Sequence, residues 1–157
     1  MKVCTLASGS SGNSLYIEYG GTKILVDAGI SQRQMTQRLS AVGVSLSEID
    51  AVVVTHEHSD HTTALPRLGL PTYVASATAH LWKEKVPELR EFESDAPFTI
   101  KDLYITPFSV PHDALDPVGF TIEAGNGPKI GKGAGRRAGT SFLKGGVRGG
   151  TPPLLAV

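Results

Sequence analysis

The sequence predicts an α/β layered domain, because short strand-like segments alternate with helical ones along its first 130 residues. Leu15–Tyr19 and Lys23–Val26 flank the turn pair Gly20-Gly21, a pattern typical of a β-hairpin. Ala51–Val54 is a short, continuous apolar run, as expected for a strand buried on both faces. Hairpin strands and a fully buried strand, together with helices, favour a fold built from layers of sheet and helix.

Helices and further strands follow from local signals. Ser31 is expected to cap a helix that runs to about Val42, with Gly43 ending it. A second helix is expected to begin within Thr62–Leu68, where Pro66 limits or kinks it, and a third covers Ala77 to about Val86. Further strands are expected at Lys2–Ala7, Thr72–Ala75, Phe98–Ile100, Leu103–Val110, and Val118–Ala124 paired with Lys129-Ile130.

Length and composition limit the class of protein. The 157 residues suffice for one domain, and no apolar run reaches the roughly 20 residues that a membrane helix needs. The amino-terminal segment has no signal-peptide pattern, and the lone Cys4 excludes an internal disulfide. These features predict a cytoplasmic protein with no membrane partner, while its oligomeric state stays open.

The last 27 residues differ from the rest. Residues 131–157 contain 8 Gly, 3 Ala, 3 Arg and 2 Pro, without helical or strand periodicity. Residues 1–128 carry a net charge of −6, and residues 129–157 carry +6 with no acid. We therefore divide the chain into a domain portion, 1–130, and a tail, 131–157. Because Gly, Ala, Arg and Pro have G+C-rich codons, we favour a tail read out of frame; the alternative is a natural, disordered basic tail.

The densest chemical signal is His56-Glu57-His58-Ser59-Asp60-His61, directly after the Ala51–Val54 strand. On extended backbone, side chains at alternate positions point the same way, so His56, His58 and Asp60 are expected to face one site. The pattern predicts two histidines for one metal ion, and Asp60 with His61 for a second ion nearby. A polar surface loop rich in histidine is the alternative.

His112 is the candidate that completes the first site. It follows the strand-like segment Leu103–Val110, and two histidines alone do not fill a zinc shell. His56, His58 and His112 would form a three-histidine site with one position open for water. The remaining histidine, His80, is expected on the surface.

These motifs resemble the metallo-β-lactamase-fold hydrolase superfamily. The resemblance rests on the H-x-H-x-D-H run and on Val26-Asp27-Ala28-Gly29 after a strand. The segments Leu6–Ser14 and Val110–Asp113 resemble its WalJ/YycJ-like bacterial branch. The resemblance, which runs to about Gly131, implies the N-terminal part of an αβ/βα sandwich with metals at one edge. It also implies His56, His58 and His112 on the first ion, Asp60 and His61 on the second, and Asp27 as the residue that holds the metal-bearing loops. The alternative for Asp27 is a turn or helix cap.

The chain also departs from that superfamily. Its members carry a metal-bridging Asp on a later strand and a final His, whereas this chain has no His after His112 and no Asp after Asp116. The chain as written is therefore expected to be truncated or frameshifted after about Gly131. Apolar strand faces are expected to lie uncovered, and activity is expected to be impaired.

The resemblance implies a metal-dependent hydrolase of phosphodiester bonds that uses Zn or Mn, with nucleic acid as the substrate and an exonuclease as the specific form. In that chemistry Asp60 would orient the attacking water as well as bind metal. The Gly/Ser loop Ser8–Ser14 could offer backbone N–H groups to a phosphate. The alternatives are a phosphodiesterase for small cyclic phosphates and a non-catalytic remnant that binds metal weakly.

Overall fold

The computed structural model describes residues 1–125 and 127–133, so most of the predicted tail lies outside the described residues. These residues form two β-sheets with short helices. The α/β class predicted from the sequence is confirmed.

The first sheet has six strands in chain order. Its members are β1 (Lys2–Ala7), β2 (Ser14–Tyr19), β3 (Thr22–Val26), β4 (Ala51–Val53), β5 (Thr72–Ala75) and β6 (Leu89–Phe92). Strands β1, β2 and β3 pair antiparallel, and β3 to β6 pair parallel. The parallel part needs crossover connections, which the helices between these strands provide.

The second sheet has four antiparallel strands. It consists of β7 (Phe98–Ile100), β8 (Leu103–Ser109), β9 (Val118–Glu123) and β10 (Lys129–Lys132), in the order β10-β9-β8-β7. The predicted hairpin of the last two strands is confirmed. Strand β10 runs two residues past the predicted domain boundary at 130.

The helices are short. Helix α1 spans Gln32–Ala41, and its Ser31 side chain accepts the N–H of Gln34 in a capping box, which confirms the predicted start. Helices α2 (Ser59–Thr62) and α3 (Leu65–Leu68) replace the single helix expected near Pro66. Single 3₁₀ segments cover Leu46–Glu48 and Ser76–Leu81.

The helix predicted over Ala77–Val86 is wrong. The segment Ser76–Leu81 is 3₁₀, and the backbone N–H of Trp82 bonds to the carbonyl of Ala79 three residues earlier. The periodicity arises because Ala79, Trp82 and Val86 are all buried in one core, and turns bring them there without a regular helix. Strand β6 was not predicted, since its exposed charged residues at an edge give no apolar alternation.

Alternation along each strand builds two cores. In β2, Leu15 and Ile17 pack between the two sheets, whereas Tyr16 points to the helices on the opposite face. Strands β3 and β4 repeat this pattern, so the first sheet is covered on both faces. This double burial explains why Ala51–Val53 is apolar throughout.

The outward face of the second sheet carries few large apolar side chains. The exposed large hydrophobic residues among those described are Val3, Tyr104, Phe108 and Leu115. Of these, Tyr104 and Phe108 lie on β8, at positions that alternate with the buried Leu103, Ile105 and Pro107. The expectation of uncovered apolar faces is therefore met only at two side chains. The Val118 N–H at the start of β9 bonds to the Thr55 carbonyl just after β4, so the β8–β9 connection lies beside the end of β4, where the predicted metal ligands lie.

Candidate metal centre

Three histidines from two distant stretches converge at one edge of the sandwich. His56 and His58 follow β4, and His112 lies in the connection between β8 and β9. Their ring centroids are 4.6–5.1 Å apart, and one ring nitrogen from each lies within 4.8 Å of the others. Imidazoles of like chemistry at this spacing are suited to share one divalent cation.

Solvent accessibility rises from His56 through His58 to His112. His56 is buried, His58 is half-buried and His112 is exposed. The buried Nε2 of His56 has no hydrogen-bond partner among the described residues. A buried unpartnered acceptor is costly unless something binds it, so this atom fits a metal ligand, and the exposed side at His112 leaves room for water or substrate.

The hydrogen bonds around Thr55 fix the tautomer of His56. The Thr55 hydroxyl lies 2.9 Å from Oδ1 of Asp27 and 3.0 Å from Nδ1 of His56. Since a carboxylate only accepts, the hydroxyl proton goes to Asp27, and Nδ1 of His56 must donate to Thr55. Nε2 of His56 therefore keeps a free lone pair.

His56 is also held neutral. Burial first, and then the neighbouring imidazoles of His61, His112 and His58, together lower the pKa of His56 to about 4 against the opposing attraction of Asp27. A neutral imidazole is the form that binds a metal ion.

Asp27 lies behind the histidines as a fully buried carboxylate. It accepts from the Thr55 backbone N–H at 2.8 Å, from Nδ1 of His61 at 2.9 Å and from Nζ of Lys132 at 2.8 Å. Burial alone would raise the pKa of Asp27, but attraction to Lys132 and the bond from His61 outweigh it and hold that pKa well below its usual range.

The backbone of Asp27 adopts a strained conformation, and this conformation lets its side chain turn inward. Its φ is 64°, in the left-handed region that non-glycine residues rarely adopt. Its N–H bonds to the Val53 carbonyl at 2.9 Å, which continues the β3–β4 ladder as the side chain turns inward. The carboxylate thereby reaches both histidine-bearing segments.

Asp60 and His61 form a pair beside the three histidines. Oδ2 of Asp60 lies 3.5 Å from Nε2 of His61, and the His61 ring centroid is 4.1 Å from that of His56. Because Nδ1 of His61 donates to Asp27, its Nε2 carries a lone pair. These two residues offer two donor atoms for a second ion, next to the three donors of the first.

Asn13 is a site residue that the sequence alone did not reveal. Its side-chain N–H group lies 3.1 Å from Oδ2 of Asp60 and 3.2 Å from Nε2 of His61, between the two atoms. Its own backbone N–H bonds to the Asp60 carbonyl at 2.7 Å. The only sequence signal was an amide inside a Gly/Ser loop that was noted for phosphate binding.

Three backbone N–H groups of the Ser8–Ser14 loop, where phosphate binding is predicted, bond within the protein. The N–H of Gly9 donates to Oδ1 of Asn13, that of Gly12 to the Gly9 carbonyl, and that of Asn13 to Asp60. These groups are occupied within the protein. Through Asn13, the loop is hydrogen-bonded to Asp60 and His61.

Two further contributors were missed. Thr55 was not recognised because a threonine before a histidine has no distinctive pattern, and Lys132 was assigned to the tail. His80, expected on the surface, is exposed.

Comparison with known proteins identifies the class. The family model of the metallo-beta-lactamase superfamily matches residues 7–143. The chain belongs to this superfamily, which confirms the resemblance seen in the motifs. Among the described residues, every helix is too short or too polar to cross a bilayer.

The chain is similar to two curated exodeoxyribonucleases. It is 37% identical over 127 residues to exodeoxyribonuclease WalJ of Streptococcus pneumoniae serotype 2 (strain D39 / NCTC 7466), covering 74% of this chain and 47% of that protein. It is 32% identical over 133 residues to exodeoxyribonuclease YycJ of Bacillus anthracis, covering 77% of this chain and 49% of that protein. The chain thus spans about half the length of these relatives.

A solved structure confirms the fold. The metallo-beta-lactamase fold protein YhfI from Bacillus subtilis matches with a TM-score of 0.70 at 19% identity, covering 84% of this chain and 62% of that one. The sandwich implied by the motifs is therefore present in its N-terminal part.

Proposed function

We propose that this chain is the metal-binding part of a hydrolase that cleaves phosphodiester bonds in DNA from an end. The observation that carries the proposal is the convergence of His56, His58 and His112, with a free lone pair on the buried Nε2 of His56. The relatives named exodeoxyribonucleases support DNA as the substrate class.

His56, His58 and His112 would hold the first divalent ion, and Asp60 with His61 would hold a second more weakly. A cation bound there supplies Lewis acidity that brings the pKa of a bound water to about 7. Zn and Mn both suit this His/Asp donor set, and we propose one of them as the ion.

The residues around the ion contribute positioning and proton handling. Asp60, whose side chain is one-third exposed, can accept a hydrogen bond from an attacking water at the open side of the site. Asp27 and Thr55 keep His56 and His61 in the tautomers that leave their Nε2 lone pairs free.

A non-catalytic remnant is the second candidate. Within these 157 residues no Asp follows Asp116 and no His follows His112, so we propose Asp60 and His61 as the ligands that this chain offers to a second ion. We propose that the 157-residue chain alone has little activity, and that residues after about 131 are read out of frame. We also propose a cytoplasmic location, which the lone Cys4 supports.

One experiment tests both candidates. The 157-residue chain and a frame-restored chain are assayed with Mn²⁺ or Zn²⁺ on 5′-phosphorylated duplex DNA and on a chromogenic phosphodiester. We expect cleavage by the restored chain and little by the chain as written. If the restored chain cleaves neither substrate, the proposed hydrolase function is wrong; if the two chains are equally active, the impairment is wrong.

A further inference from the structure

The loop that carries His112 has few attachments to the rest of the protein, one of which is the hydrogen bond that the Ser94 hydroxyl donates to Asp116. It connects the end of β8 at Ser109 to the start of β9 at Val118, and His112 is exposed within it. A backbone bond from Val110 to the Pro117 carbonyl, 3.1 Å long, closes its base. Between those residues, an exposed loop needs additional contacts to hold an imidazole at a fixed position.

The histidine-bearing segment 55–58 supplies two such contacts. The Thr55 carbonyl accepts the N–H of Val118 at 3.0 Å, at the point where β9 begins. Oε1 of Glu57 accepts the N–H of Leu115 at 2.9 Å, well inside the loop. Glu57 thus joins the segment holding His56 and His58 to the loop holding His112.

The environment of Glu57 is unusual for a carboxylate. Its other oxygen, Oε2, is buried and has no hydrogen-bond partner among the described residues. A glutamate serving only solubility would extend into water, since leaving an oxygen of a charged group buried without a partner is costly. Among the described residues, the Leu115 N–H is the only hydrogen-bond partner of this carboxylate.

We propose that Glu57 is a positioning residue for His112. Its side chain holds Leu115 and so keeps the His112 imidazole at the distance from His56 and His58 that one ion requires. This inference rests on the proposed three-histidine metal site and assigns a role to a residue that is not itself a ligand.

The test measures zinc affinity of the full 157-residue chain by competition with a chromogenic chelator. Glu57→Ala removes the acceptor and is expected to weaken zinc binding by about 10- to 100-fold, the usual effect of losing a group that orients a ligand. Glu57→Gln keeps a side-chain carbonyl oxygen at the same reach and is expected to stay within about 3-fold of the unchanged chain. Glu84→Ala, at an exposed glutamate, is the matched control and should change nothing.

A double-mutant cycle separates positioning from general destabilisation. If Glu57 acts through His112, then Glu57→Ala has little further effect once His112 is replaced by alanine. Amide hydrogen exchange adds a second readout, since the Leu115 N–H should exchange faster in Glu57→Ala and not in Glu57→Gln.

Each outcome either supports or overturns the role proposed for Glu57. Equal losses for Glu57→Gln and Glu57→Ala, or an undiminished loss in the His112→Ala background, overturn the inference. Unchanged zinc affinity in Glu57→Ala also overturns it. If the unchanged chain binds no zinc, the failure lies in the proposed metal site. The exchange rate of the Leu115 N–H then decides whether Glu57 holds the loop.

Discussion

Nδ1 of His61 lies 2.9 Å from Oδ2 of Asp27, which is fully buried and accepts three further hydrogen bonds from Thr55 and Lys132. This contact ties the strand that ends at Val26 to the helix that begins at Ser59. It also leaves Nε2 of His61 facing Asp60. One carboxylate therefore orders residues from β3, the histidine run and β10.

Replacing that carboxylate by an amide should disturb the whole site. Asp27→Asn puts an N–H₂ group where an acceptor is required, so one of Thr55, His61 or Lys132 loses its partner. We expect metal affinity to fall by about 10- to 100-fold. Chelator competition measures it, with Asp95→Asn at an exposed carboxylate as the control. Equal metal affinity in the two variants would show that Asp27 does not organise the site.

The histidine ligands themselves can be tested by metal content. His58→Ala should leave purified protein with far less tightly bound metal, because two imidazoles no longer fill the shell. Elemental analysis after gel filtration measures the ratio of metal to protein. His80→Ala, which alters an exposed histidine away from the site, should keep the full ratio. Unchanged metal content in His58→Ala would contradict the ligand assignment.

Gly29 should be intolerant of any side chain. A Cβ at this position would lie 1.6 Å from the Asp60 carbonyl oxygen and 2.7 Å from the Asn13 nitrogen, both backbone atoms. Gly29→Ala must therefore displace the segment that carries Asp60 and His61, and we expect a loss of about 1–3 kcal/mol or more in unfolding free energy. Urea denaturation measures it. Gly21→Ala, where the Cβ meets nothing within 4 Å, is the matched control.

The raised pKa of Tyr16 predicts that the protein loses stability in alkali. Burial raises the pKa of Tyr16 above its ordinary value of 10.0, and the hydrogen bond to Glu18 raises it further. Because the folded pKa exceeds the unfolded one, this stabilisation is complete below pH 10 and is lost as pH rises toward the folded pKa. Urea unfolding between pH 8.5 and pH 11 should show a steeper decline for the unchanged chain than for Tyr16→Phe. Parallel declines would mean that Tyr16 does not contribute.

Much of the fold could be predicted because its signals are local. Helix α1 begins at its Ser31 cap as expected, and the Gly20-Gly21 hairpin forms between the predicted strands. The predictions failed where tertiary contacts decide the conformation. Ser76–Leu81 is 3₁₀ although its apolar spacing favours a helix, and β6 forms as an edge strand by pairing with β5.

The sequence by itself determined that imidazoles and carboxylates cluster after a buried strand, since five of the six residues from His56 to His61 carry that chemistry. Only the tertiary structure decided that Asn13, Thr55 and Lys132 belong to the same site, because their partners lie up to 105 residues away. The spacing of a motif predicts only which side chains lie together at the end of one strand. The pairing of β3 with β4 and of β9 with β10 brings the others together, because the apolar side chains of all four strands meet in the core between the two sheets.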